Sequence, residues 1–303
     1  MSNNINQLKL LSNKYKTGYA DKSVCAAKAR LLQSIWREEQ GIPLKRTWGN
    51  YLSLTQAYCN QNNFLSQKIK DIVAKEVEAN EQRKGKDKKV IKTDRLYENM
   101  LASQPLAFNL FSELKTGGFE IANKVFKKIF GDKIQNITSI EFEISPGRGD
   151  LKYTGDHSAF DVFIEYEGKG VKGCSGIEIK YAETLLDKQA AFKDRYKDVA
   201  KLSNKFTDKG IEELCKMPMS QEQIWRDHLL SLSMTAPFNS DYSEGFFVYL
   251  FPKENIECEE ALKKYYNKLY SLNANETGIH ILHMNDFVAA IKESTSDKWI
   301  FDF

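Results

Sequence analysis

The sequence predicts an α/β fold, with a central mixed β-sheet flanked by helices and preceded by an N-terminal helical region. Three observations carry this expectation. Apolar residues recur at helical spacing through much of the first 130 positions. Between 137 and 182 the pattern changes to that of strands, in three consecutive runs joined by glycine-rich connections. Beyond 184 helical and strand patterns alternate, which suits a mixed sheet better than a bundle or a sandwich.

Along the chain, Ser23 to Gln40 spaces Ala27, Leu31 and Ile35 four apart beside Leu32 and Trp36, and Gly41-Ile42-Pro43 stops that helix. A second helical stretch leads to Glu81–Arg95, where seven basic residues in fifteen surround one glycine. A solvated loop and a phosphate-contacting arm both fit this local charge. Residues 1–92 are taken as the N-terminal helical region, with this basic linker at its end, and 93–303 as the second domain. Leu96, Met100 and Leu101, then Ser103 with Pro105, then Phe108, Leu110, Phe111 and Leu114 predict a broken helix or two short ones. Residues 119–130 are again helical. Strands are expected at 137–144, 160–166 and 177–182, with 168–176 as a glycine-punctuated connection, so that the second and third pair antiparallel. The stretch 184–234 returns to helix, clearest at Gln221–Met234. Strands at 246–251 and 279–283 flank a charged helix containing Glu259 to Leu269.

Composition narrows the function classes. The 303 residues can bury a sizeable core, and apolar runs such as 245–251 are too short to span a bilayer. The N-terminal residues lack a basic start and an apolar stretch, so a cytoplasmic protein is expected. Five scattered cysteines without a CxxC pair disfavour structural zinc and a disulfide framework. With 44 basic and 41 acidic residues, net charge alone does not imply nucleic acid. No stretch matches a P-loop, which needs glycine-lysine-serine or threonine after a strand.

One strand carries two opposite charges. Side chains two apart share a face, so Glu178 and Lys180 point to one side while Ile177, Ile179 and Tyr181 point to the other. Asp161 begins the preceding strand, which brings a second carboxylate beside the first. Two carboxylates suit Mg²⁺, a hard cation that keeps several waters, and a nearby lysine suits charge developing on a phosphodiester. Hydrolysis of nucleic acid is the chemistry to which this points.

Asp161 followed seventeen positions later by Glu178-Ile179-Lys180 resembles the bipartite signature of the PD-(D/E)XK nuclease superfamily, whose core is restriction-endonuclease-like. The resemblance covers roughly 93–285, and Phe160 stands where many members have proline. It implies a metal-dependent nuclease, acting most readily on DNA. Asp161 and Glu178 would hold Mg²⁺ (or Mn²⁺ in its place) with the backbone carbonyl of Ile179, and Lys180 would act on the attacking water. Many members also carry a glutamate on the helix before the sheet, and Glu98 is the candidate here. The helix bearing Gln223 and Arg226 resembles those that present polar residues to the site, which makes both candidates for substrate binding. Arg226 has an alternative reading as a helix-surface partner of Glu222.

Glu165 shares the alternation of Asp161 and rivals Glu98 as a further ligand, while His157 precedes that strand in a loop. Glu141 and Glu143 are read as the polar face of an edge strand. Nucleic acid is the expected partner, with no membrane, and a homodimer is compatible. Two other classes are an inactive nucleic-acid-binding or assembly module on the same fold, and a protein-binding helical scaffold using a stripe around Trp36 and Trp48.

Overall fold

The computed structural model of the protein describes residues 10–17, 21, 23–43, 48–183, 185 and 190–303. The N-terminal region contributes α1 (Val24–Glu39), a single π-helical turn (Thr55–Cys59) and α2 (Gln67–Gln82). Each helix opens on a serine whose hydroxyl accepts an otherwise unpaired amide, from Ala26 at 3.0 Å and Ile69 at 3.2 Å. The expected broken helix is two short ones, α3 (Thr93–Glu98) and α4 (Ser103–Phe111). Pro105 lies in the first turn of α4, where a missing amide costs no intrahelical bond. Next comes α5 (Glu120–Phe130), which buries Ala122, Val125 and Phe126.

Five strands form one sheet in the order β1-β2-β3-β4-β5. β1 (Asn136–Ile144), β2 (Phe160–Gly168) and β3 (Val171–Ile179) make an antiparallel meander. After α6 (Asp194–Ser203), α7 (Asp208–Leu214) and α8 (Glu222–Leu232), β4 (Glu244–Phe251) joins β3 in parallel. The chain continues through α9 (Ile256–Tyr266) and α10 (Ala274–Thr277) to β5 (Ile279–His283), parallel to β4. Two helices close it, α11 (Met284–Lys292) and α12 (Lys298–Phe301). The sheet is therefore mixed, as expected.

The third strand differs from its expected range of 177–182. It begins at Val171, six residues earlier, and ends at Ile179. Gly173 and Gly176, which signal a connection in the sequence, lie inside the strand because aromatic rings occupy the space of a side chain. A Cβ at Gly173 would come within 2.3 Å of the Tyr166 ring, and one at Gly176 within 2.3 Å of the Phe160 ring.

Alternation along the strands feeds two cores. One face carries Ile140, Phe142, Val162, Ile164, Ile177 and Ile179 against α4, α5 and α11, and the same cluster takes in Leu52, Phe64, Ile69 and Val73 from the N-terminal region. The other face carries Phe163, Cys174, Phe247 and Tyr249 against α6, α8 and α9. Among the described residues, no helix is long and apolar enough to cross a membrane.

Candidate active site

Antiparallel pairing brings the start of β2 to the end of β3. Val162 pairs with Ile177, and continuing that register sets Asp161 across from Glu178. The Ile179 amide donates to Asp161 Oδ2 at 2.8 Å, which locks the carboxylate onto the neighbouring strand. Lys180 lies just past β3, but its amide still donates to the Leu250 carbonyl at 2.9 Å, so the alternation of β3 continues through it. Its Nζ sits 2.8 Å from Glu178 Oε1. Gln223, near the start of α8, closes a triangle. Its Oε1 accepts from Lys180 Nζ at 2.8 Å and its Nε2 donates to Glu178 Oε1 at 2.6 Å.

Glu178 is 4% exposed and Lys180 8%, so neither charge could be held without the other and its hydrogen bonds. Burial works against the Lys180 ammonium, yet Glu178, Glu183 and Asp161 together raise its pKa above the ordinary lysine value. The Asp161 carboxyl is pushed well above the usual carboxylate range, first by burial and then by Glu178 and Glu143; Lys180 and the Ile179 amide oppose the shift.

Glu143 departs from the expected polar outer face. β1 is indeed an edge strand, but Glu143 is buried. The pairs Phe142 with Val162 and Ile144 with Phe160 set it across from Asp161. Its backbone has φ of 53°, in the left-handed region that non-glycine residues rarely adopt, and Gln104 on α4 donates to its Oε1 at 2.7 Å. Glu143, Asp161 and Glu178 thus stand abreast on three adjacent strands. Burial foremost, and then Glu178, lifts the Glu143 pKa to about 7, against the Gln104 hydrogen bond.

The remaining candidates lie apart from this row or serve other partners. Glu98 is buried at the end of α3, where its Oε1 accepts from the Tyr58 hydroxyl at 3.1 Å, Tyr58 being part of the π-helical turn. From the same helix it is Arg95 that reaches towards the lysine, through Glu183 at 2.8 Å. Glu183 also accepts the amides of Tyr181 at 2.9 Å and Ser103 at 2.7 Å, which fixes the chain just beyond Lys180. Arg226 is committed within the protein, to Glu222 at 2.7 Å, to Ser158 Oγ at 2.8 Å and to Asp156 at 3.7 Å. Its partner Glu222 is the one expected from the spacing of four; Ser158 and Asp156, from the loop before β2, are not visible in the sequence. Glu165 sits further along β2, bound to the Tyr242 hydroxyl at 2.5 Å and Lys172 at 3.1 Å. His157 is exposed.

Sequence reasoning missed Glu183 and Gln104 and read Glu143 as facing outward, while Asp227 was noted only for sharing a helix face with Gln223. Asp227 is 2% exposed, its Oδ2 has no partner among the described residues, and burial together with Glu178 holds its carboxyl well above the usual range. Its spacing of four from Gln223 was the one available signal.

Among the described residues no group of three or more His, Cys, Asp or Glu side chains is arranged to hold a divalent metal. Two carboxylates with a main-chain carbonyl are nevertheless a sufficient protein contribution for Mg²⁺, which retains waters for its other positions. Asp161 Oδ1 and Glu178 Oε2 carry no hydrogen bond among the described residues. Burial and repulsion from Glu178 and Glu143 hold the Asp161 carboxyl well above the usual range, and a hard cation at this row would relieve that repulsion, so the set fits one.

A family model described as the PD-(D/E)XK nuclease superfamily matches residues 19–303. No curated protein matches the chain, and no solved structure does.

Proposed function

The chain belongs to the PD-(D/E)XK nuclease superfamily, and from that premise we propose that it hydrolyses phosphodiester bonds in DNA with Mg²⁺ as its cofactor. The observation that carries the proposal is the cross-strand arrangement of Asp161, tied to the Ile179 amide at 2.8 Å, and Glu178, 2.8 Å from the Lys180 ammonium. Asp161, Glu178 and the Ile179 carbonyl would hold the metal. When bound, the metal lowers the pKa of a coordinated water and neutralises charge on the phosphoryl group.

The protein supplies orientation and a fixed positive charge. Lys180, 2.8 Å from Glu178, is placed to orient the attacking water and to stabilise charge developing on the phosphoryl oxygens. Gln223 holds Lys180 and Glu178 in register, so that neither side chain has to reorganise as charge develops. Glu98 is retained as a further acidic contributor, and Arg226 as a residue that shapes the approach to the site through Ser158 and Asp156.

The test is a cleavage assay on linear duplex, circular duplex and single-stranded DNA and on RNA, with and without Mg²⁺. Metal-dependent cleavage that prefers DNA is expected. Electrophoretic retardation of DNA without cleavage in either Mg²⁺ or Mn²⁺ would favour the inactive binding module instead.

A further inference from the structure

We infer that the basic segment between α2 and α3 is a preformed track for the phosphate backbone of DNA, placed against the edge of the active site. The inference rests on the nuclease reading for its substrate class and on the following geometry for its location. Residues 83–92 hold Arg83, Lys84, Lys86, Lys88, Lys89 and Lys92 against one acid, Asp87. Lys84, Lys86, Lys88 and Lys92 are exposed.

The segment is pinned at three points. Asn80 clamps the backbone of Lys89, its Oδ1 accepting the Lys89 amide at 2.7 Å and its Nδ2 donating to the Lys89 carbonyl at 3.1 Å. The Lys89 side chain turns inward to Glu76 at 2.8 Å, which removes it from the exposed set. Gln104 then takes the next residues. Its Nε2 donates to the Val90 carbonyl at 3.0 Å and its Oε1 accepts the Lys92 amide at 3.2 Å. That same Nε2 donates to Glu143, across from Asp161. One side chain therefore separates the basic segment from the carboxylate row.

The third pin is Arg148, from the loop between β1 and β2, which donates through Nη1 to the Lys88 carbonyl. Its buried Nε has no partner among the described residues. Arg148, half-buried beside the exposed lysines, adds its fixed positive charge to the segment. Ordering mutually repelling lysines costs conformational entropy and Coulomb energy. A polyanion crossing the segment towards Asp161 relieves that repulsion and releases its own counterions.

The experiment measures binding of a labelled DNA duplex across a salt series, with Ca²⁺ replacing Mg²⁺ to suppress cleavage. The full chain is compared with the triple variant K84Q/K86Q/K88Q and with K209Q/K263Q/K298Q. The second triple removes the same charge at side chains that are 86%, 71% and 88% exposed elsewhere on the surface. The track variant is expected to lower the slope of log K against log salt by about three in magnitude, about one per lysine, while the second triple leaves it unchanged. Equal slopes for wild type and the track variant, or equal losses in the two triples, overturn the inference. So does unchanged DNA binding accompanied by loss of binding to poly-glutamate, which assigns the segment to an acidic protein partner. The melting temperature of each variant controls for folding. Failure of the nuclease reading is read separately: wild-type protein that binds DNA with the full slope and cuts nothing refutes catalysis and leaves the track standing.

Discussion

The Ile179 amide donates to Asp161 Oδ2 at 2.8 Å, so the backbone of β3 itself aims the carboxylate of β2. The residue that gives this amide sits between Glu178 and Lys180. This inter-strand hydrogen bond joins the strand register and the Gln223 bridge in setting the spacing of the three charged groups, and Asp161→Asn probes it. The asparagine keeps the acceptor oxygen for Ile179 and removes the charge. Mg²⁺-dependent cleavage is expected to fall by at least about a hundredfold with the melting temperature within a few degrees of wild type, since charge stabilisation of this kind is worth a few kcal/mol of barrier. Full activity in the purified variant would falsify the assignment.

Metal binding has a readout independent of cleavage. Adding Mg²⁺ or Ca²⁺ to the wild-type protein is expected to raise its melting temperature and chelation to reverse the rise, because a ligand that binds only the folded state stabilises it, by about 1.4 kcal/mol at ten times its Kd. Asp161→Asn and Glu178→Gln are expected to lose that response. A shift of equal size in all three proteins, followed by differential scanning fluorimetry, would place the cation elsewhere.

Gln223 connects the site to α8 through two hydrogen bonds, at 2.8 Å from Lys180 and 2.6 Å to Glu178. Truncation to alanine leaves both charges buried with fewer partners. We expect Gln223→Ala to weaken metal affinity or turnover about 10- to 100-fold, the usual cost of removing a group that orients ligands. Calorimetric titration with Mn²⁺ and single-turnover cleavage give the two numbers. Gln223→Leu, similar in bulk and without the amide, should match the alanine if hydrogen bonding is what matters.

His228 is fully buried between the Tyr265 hydroxyl and the Thr277 carbonyl, each at 2.9 Å, and burial lowers its pKa to about 3. The folded protein keeps this imidazole neutral in the range from about 6.5 down to about 3, where the unfolded chain binds the proton. The unfolded state then carries more protons, so stability rises with pH through that window and is lost as pH falls. The slope from this residue approaches about 1.4 kcal/mol per pH unit. Urea unfolding between pH 4 and pH 7 is expected to show a flatter dependence in His228→Gln than in wild type, and parallel curves would contradict the linkage.

Gly176 packs under the Phe160 ring, which leads directly into Asp161. Gly176→Ala forces a methyl group into space the ring already fills and is expected to cost about 1–3 kcal/mol in chemical denaturation. Combining it with Phe160→Leu should recover part of that loss. Additive destabilisation of the two changes would show that the ring is not the obstacle.

The residues that the sequence determined are those whose neighbours follow from local period. Alternation placed Glu178 and Lys180 on one face of a strand, and the glycine-rich link to a preceding strand placed Asp161 beside them; the structure has Glu178 and Lys180 2.8 Å apart and Asp161 bonded one residue away. The class of fold, the mixed sheet and the order of helices and strands were legible for the same reason, because periods of 3.6 and 2 are written in neighbouring residues.

Tertiary structure alone decided the rest. Gly173 and Gly176 read as turn residues, yet they are strand residues made necessary by Tyr166 and Phe160 lying against them. Glu143 reads as the exposed face of an edge strand, but its left-handed backbone and an amide from Gln104, 39 positions earlier, bury it beside Asp161. Arg226 reads as facing a substrate as well as Glu222, and two residues from the loop before β2 bind it internally. Periodicity states which way a side chain points; it is silent on which distant side chain, ring or backbone amide waits there, because that depends on packing between elements tens of residues apart.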